Sequence, residues 1–348
     1  LICSFLIIKG HLLIAQSLGA AFPDMDPKVG LLMAPIAIGG MILQATLRGR
    51  GLALFVPAFT LLTVIYLPDF WLFVVLVFMS NVVGGLAVRS ASRRSSFIGA
   101  GFQVSMVSAL CVSLALFVLP TDETANAGIM LVCVLFGGFL SGIFAAGLVP
   151  IIEYFGGYVT DVKLLELATL DRPLLRDLSM QAPGTWAHTM LVAQLGEAAA
   201  SEVRANGLLV RVGAYYHDIG KSKKPLYFTE NQMNGKNPHD KLTPSMSAMI
   251  IAAHVRDGVE MAQAHKVPQP VIDFIEQHHG RSLIEYFYDK ALKEADGEEE
   301  VDQHRYRYLG PRPQTREVGI LMLADVVEAA ARSLPDASSA RIQGLVSK

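Results

Sequence analysis

Residues 212–221 read VGAYYHDIGK. An apolar run leads into an adjacent histidine and aspartate, His217-Asp218, and a glycine step then presents Lys221. The pattern predicts a helix over 207–219 that ends near the pair. An HD dipeptide alone says little, since a second one, His239-Asp240, lies in a polar stretch, 222–243, that reads as a loop. What distinguishes the first pair is its company. His188 stands in GTWAHTM, within a helix expected over 185–203, and His254 stands in IIAAHVRDG, within 244–265. His278-His279 closes 269–279 in FIEQHHG, and Asp325 lies in LMLADVVEAA, within 316–333. Each of these alone reads as a buried side chain making one hydrogen bond. Seven such groups on five helices, mostly on apolar faces, would each carry a desolvation penalty if left unpaired. One shared metal cluster satisfies all of them.

The donor set narrows the metal. Five imidazoles and two carboxylates suit first-row divalent ions such as Fe or Mn, with Zn compatible, and without thiolates a structural zinc site is not expected. Seven ligands are too many for one ion, so two divalent metal ions are expected, with Asp218 as the bridge because its two oxygens can each take one. Such a pair, about 3.5–4 Å apart, can hold a hydroxide and clamp both sides of an in-line attack at phosphorus. Lys221 is placed to reach a phosphate oxygen as negative charge develops there.

Working outward, the composition divides the chain. Of 29 Lys and Arg and 31 Asp and Glu, only twelve lie before residue 151, and His11 is the only one of nine histidines before His188. The 17% charged content is well under the roughly 25% of soluble domains, and mean hydropathy is +0.41. Lipid is implied for the first part and water for the second, which excludes a purely soluble enzyme, a disordered chain and a disulfide scaffold. A net charge of −2 provides no basic field for long nucleic acid. Cys3, Cys111 and Cys133 all lie in the apolar part and form no CxxC.

Six apolar stretches are expected as membrane helices: 1–22, 29–47, 51–68, 70–88, 97–119 and 128–152. The first contains Lys9 and His11. Breaks alternate between basic (Arg48 and Arg50; Arg89, Arg93 and Arg94) and acidic (Asp24 and Asp26; Asp69; Asp122 and Glu123). The positive-inside rule puts the arginines, and everything after about residue 153, in the cytoplasm. Gly39-Gly40, Gly84-Gly85 and Gly137-Gly138 point to close helix packing. The fold class expected is all-α: a polytopic transmembrane bundle over 1–152, an amphipathic connector over 153–182 broken at Pro173, and a cytoplasmic all-helical domain over 183–348. The acidic DGEEE run and the GPRP segment fall in a second expected loop, 291–315.

HDIGK, followed by ENQ, NPHDKL, HHG and MLAD, resembles the bacterial seven-transmembrane HD-domain phosphohydrolases, the membrane-anchored phosphodiesterases of cyclic di-AMP. The resemblance runs from the first apolar helix to the end of the chain, with 183–334 its specific part. It implies an extracellular sensor domain before the helices, here missing because the chain starts at Leu1 within an apolar run. It also implies further helices after Lys348. Carried over, it assigns His188, His217, Asp218 and Asp325 to one metal, and Asp218, His254, His278 and His279 to the second. Lys221 matches the lysine beside the substrate phosphate, and Asn231, Gln232 and Asn237 fall in elements expected to contact substrate. Ala187 and Arg281 depart from the family pattern at positions that are not ligands. The lack of a GYP element after HHG speaks against relatives that cleave cyclic di-GMP. The function implied is hydrolysis of cyclic di-AMP to 5′-pApA under control of an external ligand sensed through the bilayer, with a homodimer among the expected partners. Two rivals stand beside it: an HD-type hydrolase of another nucleotide phosphoester, and a membrane receptor that binds a nucleotide without cutting it.

Overall fold

This computed structural model describes residues 2–21, 27–118, 127–232, 237–295, 301–334 and 338–346. The acidic breaks at Asp24, Asp26, Asp122 and Glu123 and the run at 296–300 lie outside them. The described residues are helical throughout, apart from turns and one antiparallel bridge between Leu283 and Arg307. The chain divides into two compact units, Leu1–Val162 and Lys163–Lys348.

The first unit consists of α1 (Ile2–Ala21), α2 (Pro27–Leu31), α3 (Ile38–Tyr66), α4 (Trp71–Ala87), α5 (Ser95–Val118) and α6 (Ala127–Gly156). Two of these, α5 and α6, are long and apolar enough to cross a membrane, while Ile38–Leu47, Gly51–Tyr66 and Trp71–Ala87 are shorter apolar segments. The expected stretch 29–47 is split, because Pro35 stands between α2 and α3. The expected break at Arg48-Gly49-Arg50 is not a loop, since α3 runs through it for 29 residues. Arginine is a good helix former, and charge alone does not end a helix. The chain nevertheless bends there. Gly40 lies against Asn81 and Leu52 against Gly85, one turn further along α4. Twelve residues of straight helix would have carried the chain about 18 Å. Gly49 and Gly51 beside the arginines supply the flexibility.

Polar groups inside this unit are paired. The Asn81 amide donates to Ile36 O (3.0 Å) and Val77 O (2.8 Å) and accepts from Gly40 N (2.9 Å), tying α4 to the start of α3. Ser105 Oγ donates to Leu135 O (2.6 Å) where Gly138 lets α5 and α6 touch through their backbones.

The second unit carries the histidines. It contains α7 (Asp161–Leu167), which begins in the first unit, α8 (Pro173–Gln181), α9 (Pro183–Glu202), α10 (Gly207–His217), α11 (Pro244–Ala264), α12 (Gln269–Gln277), α13 (Glu285–Glu294), α14 (Arg316–Arg332) and α15 (Ser339–Val346). Pro173 starts α8 instead of breaking a helix. Side-chain caps fix three starts: Asn206 accepts from Leu209 N, Thr243 from Met246 N and Thr315 from Val318 N. The loop expected over 222–243 contains short 3₁₀ turns, and the one expected over 291–315 begins inside α13. Val192, Ala193, Val210, Ala214, Phe274, Val318 and Leu321 form the core that holds α9, α10, α12 and α14 together.

Candidate metal centre

Helix α10 ends on His217, and a 3₁₀ turn, Ile219–Lys223, folds the chain back beneath it. That turn packs against α11 so closely that a Cβ on Gly220 would collide with the His254 carbonyl. Backbone contact therefore sets Asp218 opposite His254. From α9 comes His188, from α14 Asp325, and from the end of α12 the pair His278-His279.

These side chains converge on Asp218, and its two oxygens face different sets. Oδ2 lies 3.3 Å from His217 Nε2 and 3.8 Å from His188 Nε2. Asp325 Oδ1 lies 3.0 Å from the same His188 nitrogen and 4.0 Å from His217 Nε2. Oδ1 of Asp218 lies 3.3 Å from His254 Nε2 and 3.7 Å from His278 Nε2. Two trios, His188–His217–Asp325 and His254–His278–His279, each hold ligand atoms within 4.8 Å of one another. All seven sequence-predicted ligands are thus in one place.

The second nitrogen of the imidazoles fixes their orientation. His217 Nδ1 pairs with Ala214 O (2.7 Å), His254 Nδ1 with Ile251 O (2.6 Å) and His278 Nδ1 with Ile275 O (2.9 Å). A carbonyl only accepts, so each Nδ1 carries the hydrogen and each Nε2 turns a lone pair inward. Among the described residues, His217 Nε2 and Asp218 Oδ1 are buried with no hydrogen-bond partner. Orphaned buried atoms of this kind call for an explanation, and a divalent ion between the nitrogens and carboxylates fits this donor set.

The electrostatics agree. Burial pushes His278 down to about 3, aided by His217 nearby, and burial with His278 and His254 beside it holds His279 well below the usual imidazole range. Burial likewise lowers His254. These three stay neutral, which is the ligating form. Burial opposes the charged forms of Asp218 and His217, yet each carries the other past it: Asp218 is held well below the carboxylate range, and His217 above its ordinary value.

Lys221 Nζ lies 2.7 Å from Asp218 Oδ2 and 3.0 Å from Glu230 Oε1, and burial is outweighed by these carboxylates, which keep it protonated. Glu230 also accepts from Thr185 Oγ1 (3.0 Å). The three predicted substrate contacts lie apart from the cluster in their bonding. Asn231 accepts from Thr185 N (3.1 Å) and donates to Thr185 Oγ1 (2.8 Å), so its amide is occupied within the protein. Gln232 Nε2 donates to Leu226 O (3.1 Å). Asn237 caps the turn Pro238–Lys241, in which His239 is buried and pairs with Tyr227 O. His239 of the second HD dipeptide is thus tied to the main chain of its own loop.

Three participants were not singled out from sequence: Glu328, which holds His188 Nδ1; Glu230; and Tyr308, whose ring stacks on His279 at 4.1 Å. Glu328 lies one turn beyond Asp325, a spacing that could have flagged it. Beside His279 opens a cavity of about 800 Å³. Arg256, Arg305 and Arg307 line it together with Met246, Met249 and Leu309.

Residues 1–160 match the family described as 7TM receptor with intracellular HD hydrolase, and residues 185–330 match the HD domain. The cyclic-di-AMP phosphodiesterase PgpH of Listeria monocytogenes is 42% identical over 273 residues, which are 78% of this chain and 38% of that protein. PgpH of Bacillus subtilis is 41% identical over 269 residues, 77% of this chain and 37% of the relative. The chain therefore spans well under half the length of these relatives. A crystal structure of the L. monocytogenes PgpH HD domain in complex with cyclic-di-AMP shares 48% identity, covering 52% of this chain and 83% of that one, with a TM-score of 0.49.

Proposed function

The chain belongs to the family of 7TM receptors with an intracellular HD hydrolase, and from that premise we propose that it is a membrane-anchored phosphodiesterase using two divalent metal ions, Fe or Mn, to open cyclic di-AMP to linear 5′-pApA. The observation that carries this reading is the division of Asp218, one oxygen toward each trio of ligands. Its sequence relatives carry the named activity.

His188, His217 and Asp325 would hold one ion, His254, His278 and His279 the other, with Asp218 between. When bound, such a pair supplies an activated water and positive charge on both sides of an in-line displacement. Water oxygen bonds to phosphorus, the bond from phosphorus to the 3′ oxygen breaks, and that oxygen takes up a proton. Lys221, kept charged by Asp218 and Glu230, is set to donate to a phosphate oxygen as charge accumulates. Burial of His188, His217, Asp218, His254, His278 and Asp325 keeps bulk water from most of the site and strengthens these interactions. The cavity beside His279 offers apolar surface for a base and guanidinium groups for a second phosphate.

The first unit serves as a multi-pass anchor. The outward faces of α5 and α6 expose Phe102, Leu110, Leu114, Phe117, Val132 and Phe136, a surface that lipid would cover. Signals from outside would reach the cytoplasmic unit through these helices.

The test is hydrolysis by the full chain in detergent, loaded anaerobically with Mn²⁺ or Fe²⁺ and offered cyclic di-AMP and cyclic di-GMP side by side. Formation of pApA, lost in Asp218→Asn, is the expected result. Two bound metals with neither nucleotide cleaved would overturn the substrate assignment.

A further inference from the structure

The histidines of the cluster are not held alike. His217, His254 and His278 each give the Nδ1 hydrogen to a main-chain carbonyl. His188 instead meets the carboxylate of Glu328, which is only 7% exposed. One guanidinium, that of Arg332 at 3.7 Å, also approaches Glu328.

The cluster is consequently lopsided in charge. On the Oδ2 side of Asp218 stand His188, His217 and Asp325, with Glu328 directly behind. On the Oδ1 side stand His254, His278 and His279, backed by carbonyls and the Tyr308 ring. Beyond the shared aspartate, and among the described residues, the first position has two carboxylates, Asp325 and Glu328, and the second has none. Lys221 sets one positive charge on the Oδ2 side, and Glu230 at 3.0 Å offsets it. A carboxylate that accepts the Nδ1 hydrogen makes Nε2 a stronger donor to metal, and partners of this kind are worth about 10–100-fold in affinity.

We infer that the two metal positions are unequal by construction. The His188–His217–Asp325 position is the tight one, filled first, and Glu328 is the positioning residue that makes it so. The His254–His278–His279 position is the weaker and exchangeable one. When metal is scarce the chain then carries a single ion, and diester hydrolysis follows occupancy of the second position. This rests on the two-metal reading above.

The experiment is a Mn²⁺ titration of the metal-free full chain in detergent, followed by calorimetry and by electron paramagnetic resonance, which separates isolated from coupled ions. Wild type is expected to fill in two steps. Glu328→Gln keeps an acceptor oxygen without the charge. Its metal-free melting should be unchanged and its first step weakened about tenfold or more, with the second step unmoved. His279→Ala is the independent arm, expected to remove the second step and leave the first. The inference falls if Glu328→Gln titrates as wild type does, or if His279→Ala abolishes the high-affinity step. Wild type taking up no metal would instead remove the two-metal reading, and this inference with it.

Discussion

At the scale of single residues, the neutral imidazoles make the metal-free protein sensitive to acid. Above the ordinary histidine value of about 6.5, His254, His278 and His279 are neutral whether folded or unfolded. Below it the unfolded chain binds protons that the folded one refuses, down to about 3 for His278, so stability falls across that interval. His217 works the other way, because its raised value lets the folded state take the proton first. Asp218 and Asp325 are both lowered, so their contribution lasts until the pH has fallen below the ordinary carboxylate range. Three histidines against one leaves a net loss, and the melting temperature of the metal-free chain should decline steadily from pH 6.5 to 4. Emission from Trp186, two residues before His188, would report it. A flat or rising profile would contradict the burial of these rings. The seven clustered side chains were legible because histidine or aspartate on an apolar helical face needs a reason to be there. Glu328 and Glu230 were not, since a glutamate on a helix or in a polar loop reads as solvated until the fold turns it inward. Asn231 adds what the sequence did not show: beside the substrate contact expected of it, its amide ties the loop to Thr185.

At the scale of elements, the site depends on how closely the turn Ile219–Lys223 approaches α11. A Cβ on Gly220 would meet both the His254 carbonyl and the amide nitrogen of Gly258, and both are backbone atoms that cannot rotate away. Gly220→Ala must therefore push the turn off α11, taking Asp218 and Lys221 with it. The expected outcome is a loss of about 1–3 kcal/mol in stability, together with weakened metal uptake at both proposed positions, since Asp218 would serve both. A thermal melt and a metal count on the purified variant check the two parts, and wild-type values in both would mean that the contact yields easily. Helix boundaries in the second unit were largely readable, because α9, α10, α11, α12 and α14 follow apolar periodicity between prolines and capping residues. The arginines at 48 and 50 were harder to read. They interrupt an apolar pattern without interrupting helical hydrogen bonding, so the interruption becomes a bend instead of a loop.

At the scale of the whole molecule, that bend decides how the first unit would lie in a bilayer. Gly49, from the arginine bend, and Arg89, from the basic break after α4, line one cavity of about 680 Å³. Thr160 and Asp161, where the chain leaves the unit, line it too. Both basic breaks and the exit toward the second unit therefore gather at one end of the helices. Nearby, Arg94 bonds to Glu153 at 3.2 Å. The opposite end is marked by Pro68-Asp69, where α3 hands over to α4. Basic residues stay on the cytoplasmic side of a bilayer, so on the proposed reading the arginine end would face inward and the second unit would follow it there. A reporter active only in the cytoplasm, fused after residue 158, should therefore be active, and one fused at residue 68 should be silent. A cysteine placed at position 69 should react with an impermeant maleimide on intact cells, whereas one placed at position 92 should react only after lysis. Labelling at 92 in intact cells would invert the molecule and put the proposed hydrolase site on the wrong side of the membrane for a cytoplasmic nucleotide. The orientation of the anchor and the identity of the substrate thus stand or fall together.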